Sequence, residues 1–134
     1  MVRTHGLTHL ALAVADPQRA ARFYRDVIGA EVVYDNGDFV QAQTPGSRDV
    51  LVSERATTAE ALRRVGVSAG IAHFGFRLVD PADIDAAARA VVDAGGTVTE
   101  QGDFCPGEPY LLATDPDGYA IELWYELPTR LDPP

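Results

Sequence analysis

The feature that most constrains the fold of this chain is an internal repeat with an offset of 64 residues. Residues 9–17 read HLALAVADP, and residues 73–81 read HFGFRLVDP. In both copies a histidine begins an alternation of larger apolar residues with small or polar ones, which is typical of a strand with one packed face. An Asp-Pro pair follows seven residues after each histidine. The repeat therefore predicts two similar modules within one domain, residues 1–134.

The residues after each copy predict one helix and three further strands. Asp-Pro suits the N-cap and first position of a helix, and glycine suits its end. The helices are predicted over residues 17–28 and 81–94. Three extended runs follow in each module, at residues 31–34, 39–43 and 50–54 and at residues 97–100, 110–113 and 119–125.

This βαβββ order predicts an α+β fold of two modules whose mixed sheets pair into a cupped, barrel-like cavity. Module one spans about residues 7–54, a linker spans 55–70, and module two spans about residues 71–126. Neither four-stranded module closes its own core, so the sheets are expected to pair face to face. The faces that carry small side chains would then line the cavity.

Composition restricts the partners of the chain. The net charge is −9, with eleven arginines and no lysine, and this charge argues against a nucleic acid partner. No apolar run is long enough to cross a membrane, and the N-terminus lacks the pattern of a signal peptide. The single cysteine, Cys105, cannot form an internal disulfide. We therefore expect a cytoplasmic protein.

Three segments resemble the vicinal oxygen chelate superfamily. They are residues 7–14 (LTHLALAV), 23–29 (FYRDVIG) and 115–123 (DPDGYAIEL), and the resemblance covers about residues 7–126. The superfamily includes glyoxalase I, extradiol ring-cleaving dioxygenases, fosfomycin-modifying enzymes, methylmalonyl-CoA epimerase and bleomycin-binding proteins. The resemblance implies the paired-sheet fold, a metal held between the sheets and a small-molecule substrate. It implies no particular reaction, because one fold supports many chemistries.

The resemblance places metal ligands at His9, His73 and Glu122. The residues themselves agree, since both histidines occupy equivalent positions of the repeat. Glu122 alternates with apolar neighbours, and a carboxylate facing inward there is costly unless it is paired or metal-bound. Two imidazoles and one carboxylate suit one divalent ion of Fe, Mn, Zn, Ni or Co. His5 lies outside the repeat and is predicted to be a surface residue.

Other candidate site residues each have more than one interpretation. Glu54 is a fourth metal ligand, a catalytic general base, or a solvated strand end. Arg77 shares a face with His73, and either binds a substrate anion or reaches solvent. Tyr110 and Trp124 are predicted substrate-binding residues, with plain core packing as the alternative. Cys105 lacks a histidine that could activate it as a nucleophile.

Three functions compete. The first is a metal-dependent enzyme that chelates vicinal oxygens of its substrate, with the Lewis-acid chemistry of a glyoxalase-like isomerase, lyase or epimerase. The second is an Fe(II) extradiol dioxygenase, although such relatives use additional histidines, and Leu112 stands where they usually have tyrosine. The third is a non-catalytic drug-binding protein of the bleomycin-resistance type, although those relatives lack the metal ligands. Fosfomycin modification is disfavoured because the fosfomycin-modifying relatives hold the phosphonate with a lysine of the second module, and this chain has no lysine. The first function is preferred.

The resemblance also implies a homodimer. In many similar proteins module one of one subunit pairs with module two of the other, so His9 would join the partner's His73 and Glu122. The linker of about 16 residues is compatible with this exchange and with pairing inside one chain.

Overall fold

The chain folds into two four-stranded mixed sheets in the computed structural model, which describes residues 1–130. The first module contains β1 (His9–Val14), α1 (Pro17–Ile28), β2 (Glu31–Asp35), β3 (Phe39–Gln43) and β4 (Val50–Arg55). The linker contains α2 (Ala59–Arg64). The second module contains β5 (Phe74–Arg77), a 3-10 turn (Pro81–Asp83), α3 (Ile84–Asp93), β6 (Thr97–Asp103), β7 (Pro109–Thr114) and β8 (Ala120–Trp124).

Both sheets have the same topology. The strand orders are β1-β4-β3-β2 and β5-β8-β7-β6, and in each sheet the first strand pairs in parallel with the last. The other neighbours pair antiparallel. The predicted α+β fold of two βαβββ modules is therefore confirmed. No helix within residues 1–130 is long and apolar enough to span a membrane.

The helix α1 begins and ends where its capping residues predict. The Asp16 carboxylate accepts hydrogen bonds from the backbone N–H groups of Gln18 and Arg19, and these bonds help lower its pKa. At the other end Gly29 adopts a left-handed conformation with φ of 71°, and its N–H donates to carbonyls of the last turn. Phe23 and Tyr24 are fully buried on the inner side.

The second helical segment differs slightly from its prediction. Asp80 caps a single 3-10 turn over residues 81–83, and the α-helix begins only at Ile84. The Asp80 carboxylate accepts from one backbone N–H, that of Ala82, whereas Asp16 accepts from two. A 3-10 turn at a helix start is common, and the helix still ends before Gly95 as predicted.

The helix-covered faces of the two sheets share one hydrophobic core. The core includes Leu12 and Val14 of β1 and Ile121 and Leu123 of β8, with α1 packed against α3 between them. Tyr24 of α1 contacts the rings of two β5 residues, Phe74 and Phe76, at centroid distances of 6.4 and 5.9 Å. The modules therefore join within the chain through their helical layers.

Buried hydrogen bonds reinforce this junction. The Tyr24 hydroxyl donates to Asp115 at 2.7 Å, and the Tyr119 hydroxyl donates to the Ala13 carbonyl at 2.6 Å. Arg19 of α1 forms an ion pair of 2.7 Å with Asp117 of the turn before β8. Burial raises the pKa of Asp115, although the Tyr24 hydroxyl and the backbone N–H groups of the turn oppose this effect.

The small-residue faces of the sheets are left open. His9 and Ala11 of β1 and Gly75 of β5 are exposed, whereas the residues that alternate with them pack toward the common core. The expected barrel-like cavity is therefore not closed within residues 1–130, because the chain packs its two modules through the other faces.

Gly96 is closely packed against Thr114 of its own module and Phe23 of module one, and its replacement is the first prediction. A Cβ at this position would lie 2.6 Å from the Thr114 carbonyl oxygen and 2.8 Å from the Phe23 ring. We expect Gly96→Ala to lower the free energy of unfolding by about 2–3 kcal/mol, because the backbone and two packed elements must shift. Urea denaturation measures this change.

The control for Gly96→Ala is Gly46→Ala. Gly46 has a φ of 77°, and no atom lies within 4 Å of the place that an alanine Cβ would take, so only backbone strain is added. That strain costs about 1–2 kcal/mol. Equal destabilisation by the two replacements would contradict the close-packing role of Gly96.

Candidate metal centre

His73 and Glu122 come together on the open face of the second sheet. Glu122 pairs with Gly75 across the β5–β8 ladder, and His73 immediately precedes β5. The distance from His73 Nε2 to Glu122 Oε2 is 3.0 Å. The Glu122 side chain is only 13% exposed and the His73 side chain is 40% exposed. Two of the three predicted ligands are thus adjacent, and of the two side chains His73 is the more accessible.

The spacing of this pair suits a shared divalent ion. Ligand atoms about 2.1 Å from one ion are separated by roughly 3.0–3.4 Å when they occupy neighbouring coordination positions. The His73–Glu122 distance of 3.0 Å falls at the lower end of this range, and it is also the length of a direct hydrogen bond between the two side chains. The donor types also fit, since imidazole and carboxylate together suit several divalent metals.

His9 lies on the open face of the first sheet, in the position that the repeat predicts. It pairs with Val50 at the start of the β1–β4 ladder. Within residues 1–130, no three His, Cys, Asp or Glu side chains gather to hold a metal ion. His9 is therefore not brought to the His73–Glu122 pair inside one chain, because the helical layers separate the two open faces.

His9 lines a shallow depression of about 260 Å³ on its sheet. Glu54 of β4 lines the same depression, together with Phe39 and Gln41 of β3 and the loop residue Arg48. The alternation of β3 could have revealed Phe39 and Gln41 from sequence, whereas Arg48 sits in an irregular loop with no such signal. The first module thus supplies an imidazole, a carboxylate and a guanidinium to one surface.

The register shows how Glu54 relates to Glu122. Leu10 pairs with Leu51 in the first sheet, and Phe74 pairs with Ile121 in the second. Val52 of the first sheet is therefore the repeat equivalent of Glu122 in the second sheet. Glu54 lies two residues farther along the same open face and is exposed, so it faces the depression without being the repeat equivalent of Glu122.

Tyr110 and Trp124 lie on the open face of the second sheet, directly opposite each other across β7 and β8. The Tyr110 hydroxyl donates a hydrogen bond to Glu100 of β6, and this bond is the main cause that raises the Tyr110 pKa. Phe104, which the sequence did not single out, stacks on Tyr110 with ring centroids 4.3 Å apart. Its position in an irregular loop gave no periodic signal.

Arg77 also lies at this open face but is occupied by local contacts. Its guanidinium forms an ion pair of 3.4 Å with Glu126 and donates to the Glu126 carbonyl oxygen at 3.3 Å. A substrate anion would therefore compete with Glu126 for this side chain.

Cys105 donates its thiol proton toward Glu108 at 2.9 Å, and this hydrogen bond raises the pKa of the thiol. A raised pKa disfavours the nucleophilic thiolate.

The chain matches the sequence profile of the Glyoxalase/Bleomycin resistance protein/Dioxygenase superfamily over residues 6–123. It is 31% identical over 121 residues to a lactoylglutathione lyase of Haemophilus influenzae. That alignment covers 87% of this chain and 89% of the lyase. The chain is 28% identical over 131 residues to a catechol-2,3-dioxygenase of Bacillus subtilis. That alignment covers 96% of this chain and only 45% of the dioxygenase, which is about twice as long.

Solved structures show the same fold. A glyoxalase-related enzyme from Fulvimarina pelagi superposes with a TM-score of 0.75 at 20% identity, covering 98% of this chain and 96% of that one. The fosfomycin resistance protein FosX from Mesorhizobium loti superposes with a TM-score of 0.72 at 19% identity, covering 93% and 95%. The match over residues 6–123 and the repeated βαβββ topology lead to one conclusion: the chain belongs to the Glyoxalase/Bleomycin resistance protein/Dioxygenase superfamily.

Proposed function

We propose that this chain is a divalent-metal-dependent enzyme that binds vicinal oxygens of a small substrate. The observation that carries the proposal is the His73–Glu122 pair, 3.0 Å apart on an open sheet face, with His9 at the equivalent position of the other sheet. These three residues would hold the ion. When bound, the ion supplies Lewis acidity that stabilises negative charge on a substrate oxygen.

We further propose that the complete site forms between two chains. His9 and the His73–Glu122 pair lie on open faces that are not joined within residues 1–130. A two-fold dimer can place the first open face of one chain against the second open face of its partner, and symmetry then makes two equivalent sites. The strand β2 also exposes about half of Val32, Val33 and Tyr34, an apolar edge that a partner would cover.

Glu54 is the proposed general base. It is an exposed carboxylate on the same face as His9, and it forms no ion pair with another residue of the range 1–130. A carboxylate in this place can accept a proton from a substrate carbon beside the chelated oxygens. Isomerisation, lyase and epimerisation chemistry share this step.

Replacing the proposed base gives the second prediction. We expect Glu54→Gln to lower kcat by about 100-fold or more, because a glutamine cannot accept the proton. The free energy of unfolding should change by no more than about 0.5 kcal/mol, because Glu54 is exposed. The measurements are turnover of the hemithioacetal of methylglyoxal and glutathione, or of whichever vicinal-oxygen substrate the metal-loaded protein converts, and urea denaturation.

The control for Glu54→Gln is Glu60→Gln. Glu60 is an exposed carboxylate on α2, away from the depression that His9 lines. It should leave both turnover and stability unchanged. Unchanged turnover in Glu54→Gln would remove Glu54 from the catalytic site and leave the metal ligands as the remaining proposal.

One observation favours an Fe(II) extradiol dioxygenase as the second candidate. Because Val52 occupies the position equivalent to Glu122, the first module offers no fourth ligand there, and the proposed site has three protein ligands. Two histidines and one carboxylate leave open coordination positions on iron. Against it, Leu112 faces Glu122 across the β7–β8 ladder, so an apolar side chain adjoins the ligand where proton transfer would be needed. Ring cleavage also lacks a spare histidine at this face.

Elemental analysis of protein purified without added metal tests these functions. Zinc, nickel, cobalt or manganese at about one ion per chain supports the preferred Lewis-acid enzyme. Iron, together with ring cleavage of catechol, supports the dioxygenase. Absence of any bound metal after loading, with tight binding of a large drug, would replace both with a sequestering protein of the bleomycin-resistance type.

A further inference from the structure

Three aromatic side chains form a platform on the open face of the second sheet. Phe104 stacks on Tyr110 with 19° between the ring planes, and it meets Trp124 edge to face at a centroid distance of 6.4 Å. Phe104 is 58% exposed, so much of its ring is available for contact. We call Phe104, Tyr110 and Trp124 the aromatic platform.

The aromatic platform lies next to the proposed metal ligands. Trp124 follows Glu122 by two residues on β8, and both side chains project from the same face. Two residues of a strand span about 6.6 Å. A small substrate whose oxygens lie at Glu122 therefore places its next few atoms over Trp124 and Phe104.

The surroundings of the platform are acidic. Glu100 accepts the Tyr110 hydrogen bond, and Asp103 lies within electrostatic range of the same phenol. Neither carboxylate forms an ion pair with a basic side chain in the part of the chain that the structure describes. The guanidinium of Arg77, which also lies at this open face, is paired with Glu126. Aromatic ring faces attract cations, and uncompensated carboxylates add to the attraction.

We infer that the aromatic platform binds an organic cation, so that the substrate carries an ammonium group a few atoms from its metal-chelating oxygens. This inference deepens the proposed function and rests on it for the position of those oxygens. An anionic group at the same place would meet Glu100 and Asp103 and would be repelled. A neutral group would gain ring contact alone.

The fluorescence of Trp124 reports on this surface, because it is the only tryptophan of the chain. The metal-free full chain is titrated with benzyltrimethylammonium, with benzyl alcohol as the neutral probe and with phenylacetate as the anionic probe. We expect saturable quenching by benzyltrimethylammonium and an affinity at least about ten-fold weaker for phenylacetate. Equal affinity for the cation and the anion would overturn the inference.

The variant Phe104→Ala tests the ring contact. We expect binding of benzyltrimethylammonium to weaken about five-fold, while the metal content after loading stays unchanged. The control is Val92→Ala, which truncates an exposed apolar side chain on α3 and should change neither quantity. Unchanged cation affinity in Phe104→Ala would also overturn the inference.

The two proposals fail separately in these measurements. Normal metal content without cation preference overturns the cation-binding inference and leaves the metal site standing. Cation preference without any metal binding overturns the proposed metal-dependent function instead.

Discussion

The variants His9→Ala, His73→Ala and Glu122→Ala are each expected to bind the divalent ion more than about 100-fold more weakly than the native chain. Three protein ligands leave no redundancy, so the loss of one removes a bond that the other two do not replace. Metal content after dialysis and calorimetric titration with Zn²⁺ or Mn²⁺ measure the change. Full metal occupancy in any two of these variants would refute the site.

Folding is expected to survive the histidine replacements. His9 is exposed and the His73 side chain is 40% exposed, so neither contributes much to the core. The matched control is His5→Ala, which removes the third histidine of the chain from an exposed N-terminal position outside the sheets. It should keep full metal binding. Far-UV circular dichroism and the thermal midpoint show whether each variant retains the native fold.

Mixing two inactive variants is expected to restore part of the activity. In the proposed dimer, each site takes His9 from one chain and His73 and Glu122 from its partner. A mixed dimer of His9→Ala and Glu122→Ala places both defects in one site and leaves the other intact. With random exchange, about half of the dimers are mixed and half of their sites are intact, so about a quarter of the metal sites return.

The measurement is metal content and turnover after equimolar subunits are exchanged in mild denaturant and refolded together. As a control, His73→Ala mixed with Glu122→Ala should restore nothing, because both defects lie on the same open face. If all three ligands came from one chain, neither mixture would recover metal binding. A chain that stays monomeric at micromolar concentration in light scattering would also contradict the shared site.

The sequence predicted local structure well where the signal lies within a few residues. Asp16 and Gly29 act at the ends of α1 because caps satisfy backbone groups of the adjacent turn. The alternation around His9 and Glu122 assigned both to faces turned away from the core, because side chains alternate along a strand. The repeat then predicted that both sheets share one topology, and the structure confirms this.

Strand register was beyond the reach of the sequence. The sequence left open whether Glu54 matches Glu122, and the ladder, which pairs Leu10 with Leu51, gives the matching position to Val52. Register depends on hydrogen bonds between strands that are about 40 residues apart in the first module, and the residues near either strand do not show which partners these bonds join. The stacking of Phe104 on Tyr110 was missed for a similar reason, because an irregular loop has no period.

By itself, the sequence determined the two βαβββ modules, their capped helices and the faces on which His9, His73 and Glu122 lie. Only the tertiary structure decided which faces meet. The β5–β8 ladder of the second module brings His73 to Glu122. The modules join through α1, α3 and the rings around Tyr24, so His9 remains on a separate open surface. The physical reason is that hydrophobic burial is non-directional: a periodic pattern shows which side of each element is buried, whereas long-range packing decides what is buried against it.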